Sequence, residues 1–121
     1  MPERDFPAVF EELKPLLAAH EDRLLVKKDS ADAYSLDTPY SEAWEKELFF
    51  GSVQIMKRYV SLHLFPVYMY PDLLDGISDE LRARMQGKSC FNFTRVDPEL
   101  REELRELAAR GMERLEAEGV I

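Results

Sequence analysis

The chain has 121 residues, 24 of them acidic and 16 basic, for a formal net charge of −8. That length suits one domain rather than two, and it buries roughly two-thirds of the unfolded surface, enough for a single core over residues 1–121. A field of that sign repels phosphate backbones and anionic lipid surfaces, so the expectation is no nucleic acid and no membrane among the partners; the same charge also serves plain solubility.

Residues 5–20 read as a helix, because Phe6, Val9, Phe10, Leu13, Leu16 and Leu17 recur at helical spacing. Asp5 is placed to cap it, and Pro7 fits its first turn. Pro15 removes an intrahelical bond and crowds the carbonyl of Glu11, which predicts a kink or two short helices. Two alternating runs, 23–28 and 33–38, flank Asp29-Ser30-Ala31-Asp32 and read as a hairpin. A loop from Thr38 to Lys46 carries Pro39, Tyr40 and Trp44.

Residues 47–56 and 59–65 are the best strands. Phe49, Val53 and Ile55 share one parity in the first, and Val60, Leu62 and Leu64 share one in the second. Lys57-Arg58 lacks the Gly or Asn of a two-residue hairpin, so a longer or bulged turn is open. Pro66 and Pro71 break the strand, Asp72–Asp75 makes one helical turn stopped by Gly76, and Ser78 caps a short helix through about Met85 that Gly87 ends. Ser89–Thr94 is a fifth strand with Phe91 and Phe93 on one side. Asp97-Pro98 is a cap followed by proline at the first helical position, opening a long helix striped by Leu100, Leu104, Leu107, Ala108, Gly111 and Leu115 and stopped by Gly119. The order predicts an α+β fold: a two-layer sandwich of about five mainly antiparallel strands, with the N-terminal and C-terminal helices on one face.

No catalytic constellation is recognised. There is no glycine-rich phosphate loop, HExxH, CxxC or GxSxG. Cys90 is the one cysteine, which excludes an intrachain disulfide and favours the reducing cytoplasm. The polar start, Met1 to Asp5, lacks the apolar run of a signal peptide, and no stretch reaches the ~18 apolar residues that span a bilayer.

Strand parity singles out one surface. With Val60, Leu62 and Leu64 facing the helices, Tyr59, Ser61 and His63 face away. By the same reasoning Phe50, Ser52 and Gln54 face away in one neighbour, and Cys90 and Asn92 in the other. Hydroxyl, amide, imidazole and thiol groups beside aromatic rings, flanked by Tyr68 and Tyr70 and with the Tyr40–Trp44 loop as a lid, suit a small-ligand site. They suit a homodimer interface equally, and an open sheet face commonly meets water, so all three readings stay open. Cys90 and His63 share that face as thiol and base without an orienting third residue; a thiol acting as a passive small hydrophobe is the simpler reading. Asp5, Glu11, Glu12, Glu21 and Asp22 cluster in sequence as oxygen donors for a hard cation, but without the spacing of a ligand loop.

Three stretches carry a resemblance: Phe49-Phe50-Gly51-Ser52-Val53, then Tyr59 to Tyr68 (YVSLHLFPVY), and Met85 to Phe93 (MQGKSCFNF). Together they resemble the YdhG-like family of small bacterial proteins, a domain family of unknown function, over residues 8–115. That family is related in fold to the frataxin and YjbR group, which implies the same two-layer sandwich. Some relatives are proposed intracellular iron chaperones; the acidic first helix is a loose analogue of frataxin's acidic ridge, and no defined set of iron ligands is matched. The candidate ligand-binding residues are therefore Tyr59, Ser61, His63, Tyr68, Tyr70, Lys88, Cys90 and Asn92. The expected role is non-enzymatic binding of a small ligand or metal ion, with a homodimeric interaction or regulatory module on the same face as the alternative.

Overall fold

The computed structural model describes residues 5–121, so the part of the single-domain reading that covers residues 1–4 lies outside the described residues. The chain runs α1 (Phe6–Ala18), β1 (Leu25–Asp29), β2 (Ala33–Asp37), β3 (Phe49–Ile55), β4 (Val60–Leu64), α2 (Phe65–Met69), α3 (Asp79–Arg82), β5 (Met85–Gln86), β6 (Cys90–Phe93) and α4 (Pro98–Ala117). Single 3-10 turns lie at Glu21–Arg23 and Pro71–Leu74. The six strands form one sheet in the order β1-β2-β3-β4-β6-β5, with every pairing antiparallel. This is the α+β sandwich that the element order predicts, with six strands in place of about five. No helix among the described residues is long and apolar enough to cross a membrane.

The extra strand comes from the segment read as the end of a helix. α3 stops at Arg82, and Met85 and Gln86 pair with Phe91 and Cys90. Gly87 does break the pattern, but as the positive-φ residue of a hairpin (φ 82°) rather than as a helix stop. α2 is a second departure. The strand ends before Pro66 as expected, and the chain then enters a helix with Pro66 in its first turn, where its missing N–H costs nothing.

Helix α1 stays a single 13-residue helix despite Pro15. Both Pro15 and Glu11 are exposed, so water can take up the carbonyl that proline leaves free. Leu13, Leu16 and Leu17 meanwhile hold the other side of the helix in the core. Asp5 caps α1 as expected, its carboxylate accepting from the Ala8 N–H at 3.1 Å. Ser78 caps α3 in the same way at 3.1 Å from the Leu81 N–H. Asp97 makes no such bond at the start of α4; its carboxylate lies instead 3.6 Å from Arg95.

α1 and α4 cover one face of the sheet. Leu13, Leu17, Leu104 and Leu107 join Val53, Leu62, Phe91 and Phe93 in one buried cluster. Burying each such side chain contributes about 1.5–3 kcal/mol.

Two glycines set how closely the layers approach. A Cβ on Gly51 would lie 2.8 Å from the His63 carbonyl oxygen and 3.3 Å from a methyl of Leu17. A Cβ on Gly111 would lie 3.1 Å from Pro66, which lets α2 sit directly on α4.

Both bulges of the sheet affect what it shows to solvent. In β1 the register slips between Val26 and Lys28, leaving Lys27 as an extra residue on an edge strand. In β3, Gly51 pairs with Leu36 and Phe49 with Asp37, so Phe50 is the extra residue. The parity of β3 therefore reverses below Gly51. Phe50 is fully buried among the helices and Phe49 turns to the outer face, the opposite of the alternation read from the sequence.

Two substitutions test this packing. Leu62→Ala or Phe93→Ala should lose about 2–5 kcal/mol in urea denaturation, through lost burial and the cavity left behind. Gly51→Ala, a single added methyl, should lose about 1–3 kcal/mol because the backbone it meets cannot move aside.

Candidate uncharged face and aromatic groove

The outer face is built by register. Ser52 on β3 stands opposite His63 on β4, His63 opposite Cys90 on β6, and Cys90 opposite Gln86 on β5. One step along the strands, Gln54 stands opposite Ser61 and Ser61 opposite Asn92. The regular alternation of β4 and β6 sends their apolar partners to the helices and these side chains outward. With Met56 and Tyr59 at one end, the two rows line a shallow depression of about 270 Å³.

Among the described residues, no Asp, Glu, Lys or Arg lines this depression. In a chain where 33% of residues are charged, that is a marked departure. His63 adds no charge at neutral pH, because burial lowers its pKa below the usual 6.5. The face offers amides and hydroxyls that both donate and accept. One pair is already joined, Asn92 Nδ2 donating to Gln86 Oε1 at 2.7 Å.

His63 is held from two sides. Its Nε2 shares a 2.6 Å hydrogen bond with the hydroxyl of buried Ser89. The ring of Phe49 meets it edge-on, with centroids 4.9 Å apart. The hydrogen-bonded partner of His63 is thus Ser89 rather than Cys90, although Cys90 faces it across the strands. A hydroxyl beside an imidazole is a nucleophile–base geometry. Among the described residues, however, no carboxylate bonds to His63 to orient it as a base.

The structure divides the predicted residues into two groups. Tyr59, Ser61, His63, Cys90 and Asn92 come together in the depression. Tyr68, Tyr70 and Lys88 do not flank it. They line a separate groove of about 530 Å³, together with Trp44, Lys46, Leu48, Phe65 and Met69. A line of rings joins the two surfaces: Phe49 lies 6.0 Å from Phe65, which stacks on Tyr68 at 5.5 Å. Trp44 belongs to the groove rather than to a lid over the sheet, and Tyr40 is exposed.

Sequence reasoning missed Ser89, Phe49 and Gln86. Ser89 has the wrong strand parity and reaches His63 only because it sits in the turn entering β6. Phe49 faces outward only through the bulge, and Gln86 only through the sixth strand.

The carboxylates around α1 do not converge. Asp5 caps the helix, Glu12 bonds Arg101 at 3.0 Å, and Glu21 accepts from the Tyr34 hydroxyl. Among the described residues, no three His, Cys, Asp or Glu side chains gather as a metal site. No protein-family model, curated protein or solved structure matches the chain.

The lowered pKa of His63 has a testable consequence. The unfolded chain takes up a proton near pH 6.5 that the folded site resists, so this group's contribution is complete above pH 6.5 and is lost as pH falls below it. The contribution of His20, also lowered, mainly by burial and then by Arg23, has the same sign. His63→Gln should therefore flatten the fall in unfolding free energy, read from urea denaturation, between pH 7.5 and 5.5, by at most about 1.4 kcal/mol per pH unit.

Proposed function

We propose that this chain is a non-enzymatic binding protein that takes a small, neutral, polar ligand on the outer face of its sheet. The observation that carries the reading is the uncharged lining of the depression. A neutral ligand rich in hydroxyls or amides loses its water to partners that both donate and accept, without leaving a buried charge unpaired. His63, fixed by Ser89 and Phe49, supplies a rigid polar anchor in that lining.

The same lack of charge favours a second reading, a homodimer interface, because interface cores are depleted in charged residues. A face of groups that both donate and accept can match its own copy about a twofold axis. The YdhG-like assignment remains part of the proposal, supported by the three stretches quoted above and by the fold class that the resemblance implies. We assign the protein to the cytoplasm on its one, unpaired thiol.

Ser61→Arg separates the readings, since it sets a cation in the middle of the uncharged rows. A thermal-shift screen of neutral metabolites identifies the ligand, which at 100 times its Kd stabilises by about 2.7 kcal/mol. With a ligand site, Ser61→Arg removes that shift and leaves the mass in light scattering unchanged. With an interface, it converts a dimer to a monomer by setting like charges together. If neither the mass nor any thermal shift responds, the face is a solvated surface and both readings fail.

A further inference from the structure

We propose that the groove between the Ser41–Lys46 turn and α2 is a second binding site, for a small flat anion: an aromatic ring system carrying a carboxylate. It lies apart from the sheet face and has the opposite chemistry, with large apolar walls and localised charge.

The walls call for an apolar, planar body. Trp44 and Tyr68 keep 50% and 52% of their surface exposed, while Leu48, which also lines the groove, is buried. Two of the rings are fixed in place. Phe65 stacks on Tyr68, and the Arg114 guanidinium lies 4.5 Å from the Tyr70 ring centroid. Arg114 is in turn tied to Asp72 at 2.8 Å and Glu118 at 2.9 Å, so its charge is already matched. Rings held in this way present stacking surface at little entropic cost. A volume of about 530 Å³ suits a small molecule of drug-like size.

The charges call for an anion. Acidic residues outnumber basic ones 24 to 16 in the chain, yet among the described residues the only charged side chains lining the groove are Lys46 and Lys88. Among the described residues neither has a carboxylate within 4.0 Å, so both charges are open to a ligand in the groove. Two lysines without carboxylate partners, lining an aromatic groove, suit a carboxylate carried on a ring system.

Trp44 is the one tryptophan of the chain, so its indole N–H gives a single NMR resonance reporting directly on this groove. Titration with 2-naphthoate should move that resonance saturably. The neutral isostere 2-naphthamide should bind about three- to thirtyfold more weakly, as should naphthoate to Lys46→Gln/Lys88→Gln, the range that two exposed charge pairs supply. Lys57→Gln, which removes the same kind of charge from the β3–β4 turn, should bind naphthoate as wild type does. Ser61→Arg should also leave the response intact, which keeps this site distinct from the sheet face. Equal affinity for naphthoate and naphthamide, or full affinity in the double lysine variant, would overturn the proposal. So would an indole shift on diluting the protein alone, which would mean that a second copy covers the groove, or loss of the response in Ser61→Arg.

Discussion

The outer surface of this protein depends on one extra residue in β3. Phe49 and Phe50 are adjacent, and in an unbroken strand one would face each side. The bulge at Phe50 decides which. It sends Phe50 into the core under α1 and α4 and turns Phe49 out against His63. Gly51 follows directly and carries no Cβ, so Leu17 of α1 can close onto the strand at that point. Bulge and glycine act together: the first reorients the strand, and the second lets the helix pack over the reoriented segment.

Much of the architecture was legible because β4, β6 and α4 each follow a single clean period. Val60, Leu62 and Leu64, with Phe91 and Phe93, alternate without interruption, and reading them assigned Ser61, His63, Cys90 and Asn92 to the outer face. β3 was misread because a bulge leaves no mark on alternation within its own strand; it exists only in the pairing with Leu36 and Asp37. β5 was misread because a serine cap followed by a run toward Gly87 is the usual signature of a helix with its stop. Positive φ at glycine ends a helix and turns a hairpin equally well, and only pairing with β6 distinguishes them. Pro15 was overvalued for a related reason. Its cost depends on whether the freed carbonyl meets water, and that is a property of tertiary position.

The candidate site was legible as a list of residues and illegible as a shape. Parity says which side of a sheet a residue takes but not where the sheet ends. Tyr68 and Tyr70 follow β4 closely in sequence, yet α2 carries the chain around the end of the sheet and away from the depression. The result is two surfaces of different chemistry joined by a line of aromatic rings in contact. One exchanges hydrogen bonds without charge; the other is apolar with localised positive charge.

The bulge at Lys27 bears on how copies of this chain can meet. β1 is an edge strand whose outer residues include Lys27 and Lys28, with the extra residue breaking its ladder. At the other edge, β5 is two residues long. A neighbouring strand that tried to extend the sheet would meet ammonium groups and a broken register on one side, and too few backbone groups on the other. Lateral growth into a continuous intermolecular sheet is therefore disfavoured at both edges, so exposing the uncharged face does not also expose a long, regular strand edge.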